Sequence, residues 1–170
     1  MSETTSLHHV RSGFEAPPWL ALVICIAIAQ LAGLLGLPFT DTAPGSWYDQ
    51  LDKPDFTPPG WVFAPTWTLL YTLIGIGLFR VWRAEPSPER TLGIGLWGVQ
   101  IALNALWTPL FFGAELPWIA GIDLLVLVGA IVATIVVVAR VDRIAAVLMV
   151  PYLAWVGFAT VLTLSIAAAN

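Results

Sequence analysis

"WYDQLDKPDFTPPGWVFAPTWTLLYTLIGIGLFR", residues 47–80, changes character in its middle. Its first part carries Asp49, Asp52, Lys53 and Asp55, while Phe56–Phe79 holds no charge at all. A helix needs about 20 mostly apolar residues to cross a bilayer, and the second part supplies them. Pro54, Pro58 and Pro59 stiffen the polar part, which argues against a slack connector. The same alternation runs through the chain. Ala16–Thr40, Thr91–Ala114 and Ile144–Asn170 are also uncharged, and Leu116–Ala139 contains Asp123 alone. Of the 170 residues, 58% are hydrophobic and 11% charged, where soluble domains carry about 25% charged residues. The expectation is an all-α integral membrane protein, a five-transmembrane-helix bundle. Its helices are predicted at 17–37, 59–82, 91–112, 117–140 and 144–167, with a lid loop at 38–58. Residues 1–15 read as a polar N-terminal tail and 16–170 as a single membrane domain.

The first apolar run reads as a retained helix rather than a signal peptide, being long and lacking a basic start and a small-residue cleavage site. Cys25 is the lone cysteine, so no disulfide framework is expected. A net charge of −4 on so few charged groups leaves no nucleic-acid footprint. His8 and His9 have no sequence partner for a metal site. Arg11, Arg80, Arg83, Arg90, Arg140 and Arg143 fall on one side of the predicted topology, and only Lys53 on the other. The positive-inside rule then predicts a cytoplasmic N-terminus and a lid facing out. A helical bundle favours a bacterial inner membrane.

Several helices carry polar and aromatic groups. Trp97, Gln100, Asn104 and Trp107 lie 3, 4 and 3 residues apart, on one stripe of the third helix. That stripe is either interhelical glue or a cavity wall. Asp123 is the one ionisable group deep in a span, and is either functional or bonded to a neighbouring helix. Pro151 predicts a kink in the fifth helix, where Tyr152, Trp155 and Ala159 share a face. At about 1.5 Å per residue, Trp67 and Asn104 both lie about 12 Å below the lid end, and Asp123 about 9 Å below it. Trp107, Ala159 and Leu162 fall near the same layer, which favours a pocket beneath the loop. Trp47 and Trp61 are expected to anchor the loop ends at the interface. Gly95, Gly98, Ala102 and Ala105 form a small-residue stripe that reads as monomer packing or as a homodimer seam.

The segments "WYDQLDKPDFTPPGWVFAPTWTLLY" (47–71), "QIALNALWTPLFFGA" (100–114) and "VPYLAWVGFATVL" (150–162) resemble the TspO/MBR family of tryptophan-rich sensory proteins and translocator proteins, the latter once called the peripheral benzodiazepine receptor. The resemblance implies a usually dimeric five-helix bundle with a pocket under the first loop. It implies binding of porphyrin and haem, of cholesterol in animal members, and of isoquinoline carboxamide and benzodiazepine ligands. By position, it implies pocket roles for Trp67, Asn104, Trp107, Asp123, Trp155, Ala159 and Leu162; the residue reading adds Tyr71 and Tyr152. Trp47, Tyr48, Lys53, Pro54, Pro58 and Pro59 are the lid residues. The family commonly has Leu-Asn where this chain has Leu162-Thr163, and no basic residue follows Arg143, which argues against a sterol carrier.

The expected function is a membrane binding or sensory protein that holds a tetrapyrrole or other hydrophobic small molecule, with no obligate cofactor. Light-dependent porphyrin breakdown, with Trp67 and Trp155 as the catalytic candidates, is the enzymatic alternative. Transport of porphyrin or lipid is a third, although no inverted repeat supports it. The lid is expected to govern ligand release.

Overall fold

The computed structural model describes residues 17–170. His8, His9, Arg11 and the predicted tail lie outside them. Among the described residues, five segments are long and apolar enough to cross a membrane: Pro18–Phe39, Gly60–Arg83, Pro88–Gly113, Pro117–Val138 and Arg143–Ala169. In lipid every backbone polar group must be satisfied within the protein, which is why helices make the spans.

The spans are less uniform than the sequence suggests. The first is α1 (Pro18–Leu34) followed by a 3₁₀ turn, Leu37–Phe39. A short helix, α2 (Trp47–Gln50), lies inside the lid, where the sequence reading saw only loop. A 3₁₀ turn at Gly60–Val62 leads into α3 (Phe63–Arg83). The third span, α4 (Pro88–Thr108), starts three residues before the expected 91. Ser87 Oγ accepts the Arg90 N–H at 3.1 Å, and Pro88 occupies the first turn, where its missing N–H costs nothing. Beyond α4, Pro109–Gly113 forms a π turn closed by Ala114 N–H on Pro109 O at 2.8 Å. Then come α5 (Pro117–Val138), α6 (Arg143–Leu148) and α7 (Val150–Ala169). The kink expected at Pro151 is a break at Met149: the proline lacks the N–H that would continue α6.

Packing is closest where glycine removes a side chain. A Cβ on Gly75 of α3 would stand 2.5 Å from Ile26 Cα and 3.0 Å from Cys25 O of α1. Below the lid, Tyr71, Ile74, Leu127, Ile131, Tyr152 and Val156 make the centre of the bundle. At the end opposite the lid, the Arg90 guanidinium donates to Val81 O and Trp82 O and so satisfies the last carbonyls of α3. Arg80 meets Asp142 at 2.8 Å, and Asp142 Oδ1 caps α6 by accepting Ala145 N–H at 2.9 Å. Burial pushes the Asp142 carboxyl up. The Ala145 N–H, the hydrogen bond and charge of Arg80, and the Ile144 N–H outweigh it, and the group sits below the usual carboxylate value.

Two outcomes are expected. Gly75→Ala lowers the thermal unfolding temperature in detergent: overpacking costs about 1–3 kcal/mol, more than the roughly 1 kcal/mol that alanine gains in helix propensity. Asp142→Asn keeps the cap but removes the charge. A group depressed in the fold stabilises above its unfolded pKa of about 3.9 and loses that contribution as pH falls through the folded value. The wild type should therefore exceed the variant by under about 1 kcal/mol at neutral pH, the pair being partly solvated. In thermal melts the difference should close on acidification below about pH 4.

Candidate functional site

A cavity of about 780 Å³ lies beneath the lid, within the size range of small-molecule sites. α3 contributes Phe63, Trp67, Thr68 and Tyr71; α4 and its π turn contribute Asn104, Trp107, Thr108, Phe111 and Phe112; α7 contributes Leu162, Thr163 and Ile166. The lid closes the top with Tyr48, Lys53, Thr57 and Pro58. Two stacked aromatic pairs stand in the wall: Trp67 on Tyr71, centroids 5.3 Å apart, and Trp107 on Phe111, also 5.3 Å. The Tyr71 hydroxyl donates to Asn104 Oδ1, so α3 and α4 are joined at the wall itself. Among the described residues, Lys53 is the single charged group lining the cavity.

Lys53 also folds the lid. Its ammonium donates to Tyr48 O at 2.7 Å, Asp49 O at 3.0 Å and Leu51 O at 3.1 Å, and sits 4.8 Å from the Tyr48 ring centroid. α2 is one turn long and cannot satisfy its own carbonyls, so the lysine does. Asp49 Oδ2 accepts the N–H of Gly45, whose φ of 85° suits glycine. Trp47, expected at the interface, is half-buried. It packs edge-on against Phe111 at 5.5 Å, while Tyr48 packs on Phe111 and Phe112. Trp61, expected at the interface as well, is 75% exposed. Pro54 is half-buried and its carbonyl accepts the Thr57 hydroxyl at 2.7 Å; Pro59 is exposed.

A second tie comes from the far end of the chain. Asn170 Oδ1 accepts the Asp52 N–H at 3.0 Å, and Asn170 Nδ2 donates to Asp52 O at 3.1 Å and to Ile166 O at 2.9 Å. One carboxamide thus pairs with the lid backbone as a neighbouring strand would.

Four predicted pocket residues stand elsewhere. Trp155 and Tyr152 lie behind Trp67, with ring centroids 6.5 and 6.4 Å from it, and neither lines the cavity. Ala159 packs against the same central cluster. Asp123 is buried off the wall, and its Oδ2 has no hydrogen-bond partner among the described residues. Gln100 is fully buried with both amide atoms likewise unpartnered, and Trp97 Nε1 reaches Ile74 O at 3.4 Å. The third-helix stripe therefore divides: Trp97 ties α4 to α3, whereas Asn104 and Trp107 face the cavity.

The sequence reading missed the contribution of α1. Gln30, Gly33, Leu34, Gly36 and Leu37 line the cavity, as do Thr40 and Thr42 beyond it. Gln30 was the available signal, an amide within an otherwise apolar run.

The sequence model of the TspO/MBR family matches residues 16–169, covering every wall and nearly all of the described chain. The chain belongs to the TspO/MBR family. The translocator protein of Bos taurus is 40% identical over 149 residues, 86% of this chain and 88% of its own. The tryptophan-rich protein TspO of Chlorobaculum tepidum is 38% identical over 156 residues, covering 89% of this chain and 96% of its own. Protein CrtK of Rhodobacter capsulatus is 41% identical over 137 residues, 79% of this chain and 83% of its own. Membership of TspO/MBR agrees with the five apolar spans and makes the chain an integral membrane protein. Among the described residues of this TspO/MBR chain, no three His, Cys, Asp or Glu side chains gather as a metal site requires.

Removing the Asn170 carboxamide tests the tie at the top of this site. Each hydrogen bond contributes about 0.5–1.5 kcal/mol, so Asn170→Ala should raise the hydrogen-exchange rate of the Asp52 amide by roughly tenfold. Exchange in the centres of α3 and α5 should not change.

Proposed function

We propose that this membrane protein binds a flat, largely apolar amphiphile of the tetrapyrrole class, a porphyrin or haem, with its ring against the aromatic wall and an anionic edge toward Lys53. The observation that carries this reading is the composition of the wall among the described residues: two stacked aromatic pairs and one cation, with no carboxylate. Indole and phenol faces favour offset stacking on extended rings. Asp123 lies off the wall and does not face a ligand's carboxylates there. A carboxylate near Lys53 meets an ammonium whose donors are already directed to the lid, so it gains attraction rather than a full ion pair. Isoquinoline or benzodiazepine ligands satisfy the same aromatic demand without the anionic edge.

The protein acts by holding this molecule as a sensor or carrier of tetrapyrrole status, not by turning it over. Trp155, a candidate for photo-oxidative breakdown, stands one ring behind the surface that a ligand touches. The arginine-rich ends, Arg80, Arg83, Arg90, Arg140 and Arg143, face the cytoplasm on this reading, and the lid faces away from it in an inner membrane. A homodimer through Gly95, Gly98 and Ala102 belongs to the same reading. These residues are exposed, and a Cβ on either glycine would meet nothing within 4 Å, which leaves room for a second helix to approach.

Titration of the detergent-solubilised protein with protoporphyrin IX should give a saturable Soret shift and tryptophan quenching. Protoporphyrin dimethyl ester, which keeps the ring and loses both charges, should bind several-fold to tenfold more weakly. Absence of a saturable change overturns the reading. Equal affinity for the ester removes the role given to Lys53.

A further inference from the structure

The lid is tied down at each of its parts. Lys53 gathers carbonyls 48, 49 and 51, Asn170 holds Asp52, and Trp47 and Tyr48 lie on Phe111. Another opening is built into the wall. α1 changes partner along its length. Deep in the bundle its backbone presses on α3 at Gly75. In its last turn it still lies on α3, where a Cβ on Gly33 would meet the Tyr71 ring, and just past its end the chain has crossed to α4, where a Cβ on Gly36 would meet Thr108 Oγ1 at 2.8 Å. Phe39 then reaches the π turn, its Cδ1 standing 2.9 Å from where a Gly113 Cβ would be. The hydrogen bonds between α1 and α3 come from Gln30, whose Nε2 donates to Thr68 O at 3.0 Å and Thr72 Oγ1 at 3.1 Å. Toward the lid from this clasp, Leu34 and Leu37 on one side and Ala64 on the other line the cavity and are at the same time exposed. Leu34 is 54% and Leu37 62% exposed, and because each also lines the cavity, the cavity and the outer face meet at these two residues.

The gap between α1 and α3 is therefore a slot with Gln30 as its floor. Ala64 and Thr68 stand about 6 and 12 Å below Gly60 along the helix axis. In a hydrocarbon core about 30 Å thick, this depth belongs to the lid-side leaflet. Its edges are apolar at Leu34, Leu37 and Ala64, with the hydroxyl of Thr68 just inside. A polar solute has no path of its own there, whereas a molecule already dissolved in the leaflet meets the opening edge-on.

We propose that the cavity is loaded sideways from the lid-side leaflet, by a membrane-dissolved amphiphile that passes between α1 and α3 while the lid stays shut. This rests on the reading that the cavity binds such a molecule, and it replaces the lid with the slot as the gate. Between occupants, a lipid acyl chain reaches through the slot to Trp67.

The test uses the full chain in vesicles containing phosphatidylcholine with a mid-chain diazirine, photolysed and mapped by mass spectrometry. Leu69 and Ile24, both exposed, should be labelled in every sample as the lipid-facing reference. The proposal expects additional label on Trp67 or Tyr71, lost when protoporphyrin IX is added. Label on Leu69 and Ile24 without label on Trp67 or Tyr71 overturns the slot. Label on Trp67 that protoporphyrin does not displace supports the slot and counts against the binding reading instead. In the same vesicles, Ala64→Trp should slow protoporphyrin association about tenfold, and Asn170→Ala should leave it at the wild-type rate. The reverse pattern returns the gate to the lid and overturns the proposal.

Discussion

The architecture at the lid depends on one ammonium group. Non-helical backbone at the edge of a bilayer has to satisfy its carbonyls inside the protein, and α2 is too short to do so alone. Lys53 collects Tyr48 O, Asp49 O and Leu51 O onto a single charge. That arrangement turns Trp47 and Tyr48 down onto Phe111 and Phe112 and gives the cavity its roof. The same nitrogen leaves a positive charge in a wall that is otherwise aromatic, aliphatic, hydroxylic and, at Gln30 and Asn104, amide. The fold of the lid and the one charge lining the cavity among the described residues thus come from one side chain.

The lower boundary of the site follows from a different economy of groups. The Tyr71 hydroxyl donates to Asn104 Oδ1, so two polar side chains that face the cavity are joined across α3 and α4. Trp67 is backed by Tyr152 and Trp155, which stiffens its ring from behind. The π turn after α4 points Phe111 and Phe112 at the lid; an irregular turn of this kind is frequent where a helix serves a site. Glycines 33, 36 and 75 let α1 cross from α3 to α4, and the crossing opens the side of the cavity.

Much of this was legible in the sequence, and the failures have a common cause. Charge-free runs locate the spans because a buried charge in hydrocarbon is costly; most ends moved by one to three residues, the start of the third span because Ser87 and Pro88 begin its helix. Helical rise gave the depth of Trp67, Asn104 and Trp107 well enough to bring them together. It says nothing about azimuth in a helix apolar on every side. Asp123 and Ala159 were therefore given a depth without a direction, and Tyr152 and Trp155 a shared face without a partner; none of the four lines the cavity. Gln30 and the glycines of α1 were overlooked because the run reads as plain lipid-facing helix. The Asn170–Asp52 pairing joins residues 118 apart through a single side chain, which no local pattern announces.

The central claim is that the aromatic wall beneath a lysine-folded lid is where the flat ligand rests. A structure of the protein with protoporphyrin IX bound tests it most directly. The account predicts the macrocycle inside the cavity, its face against Trp67 or Trp107 and a propionate toward Lys53, with the lid backbone unmoved. A macrocycle held on the outer face of α4 along Gly95 and Gly98, or anywhere else outside the cavity, would contradict it.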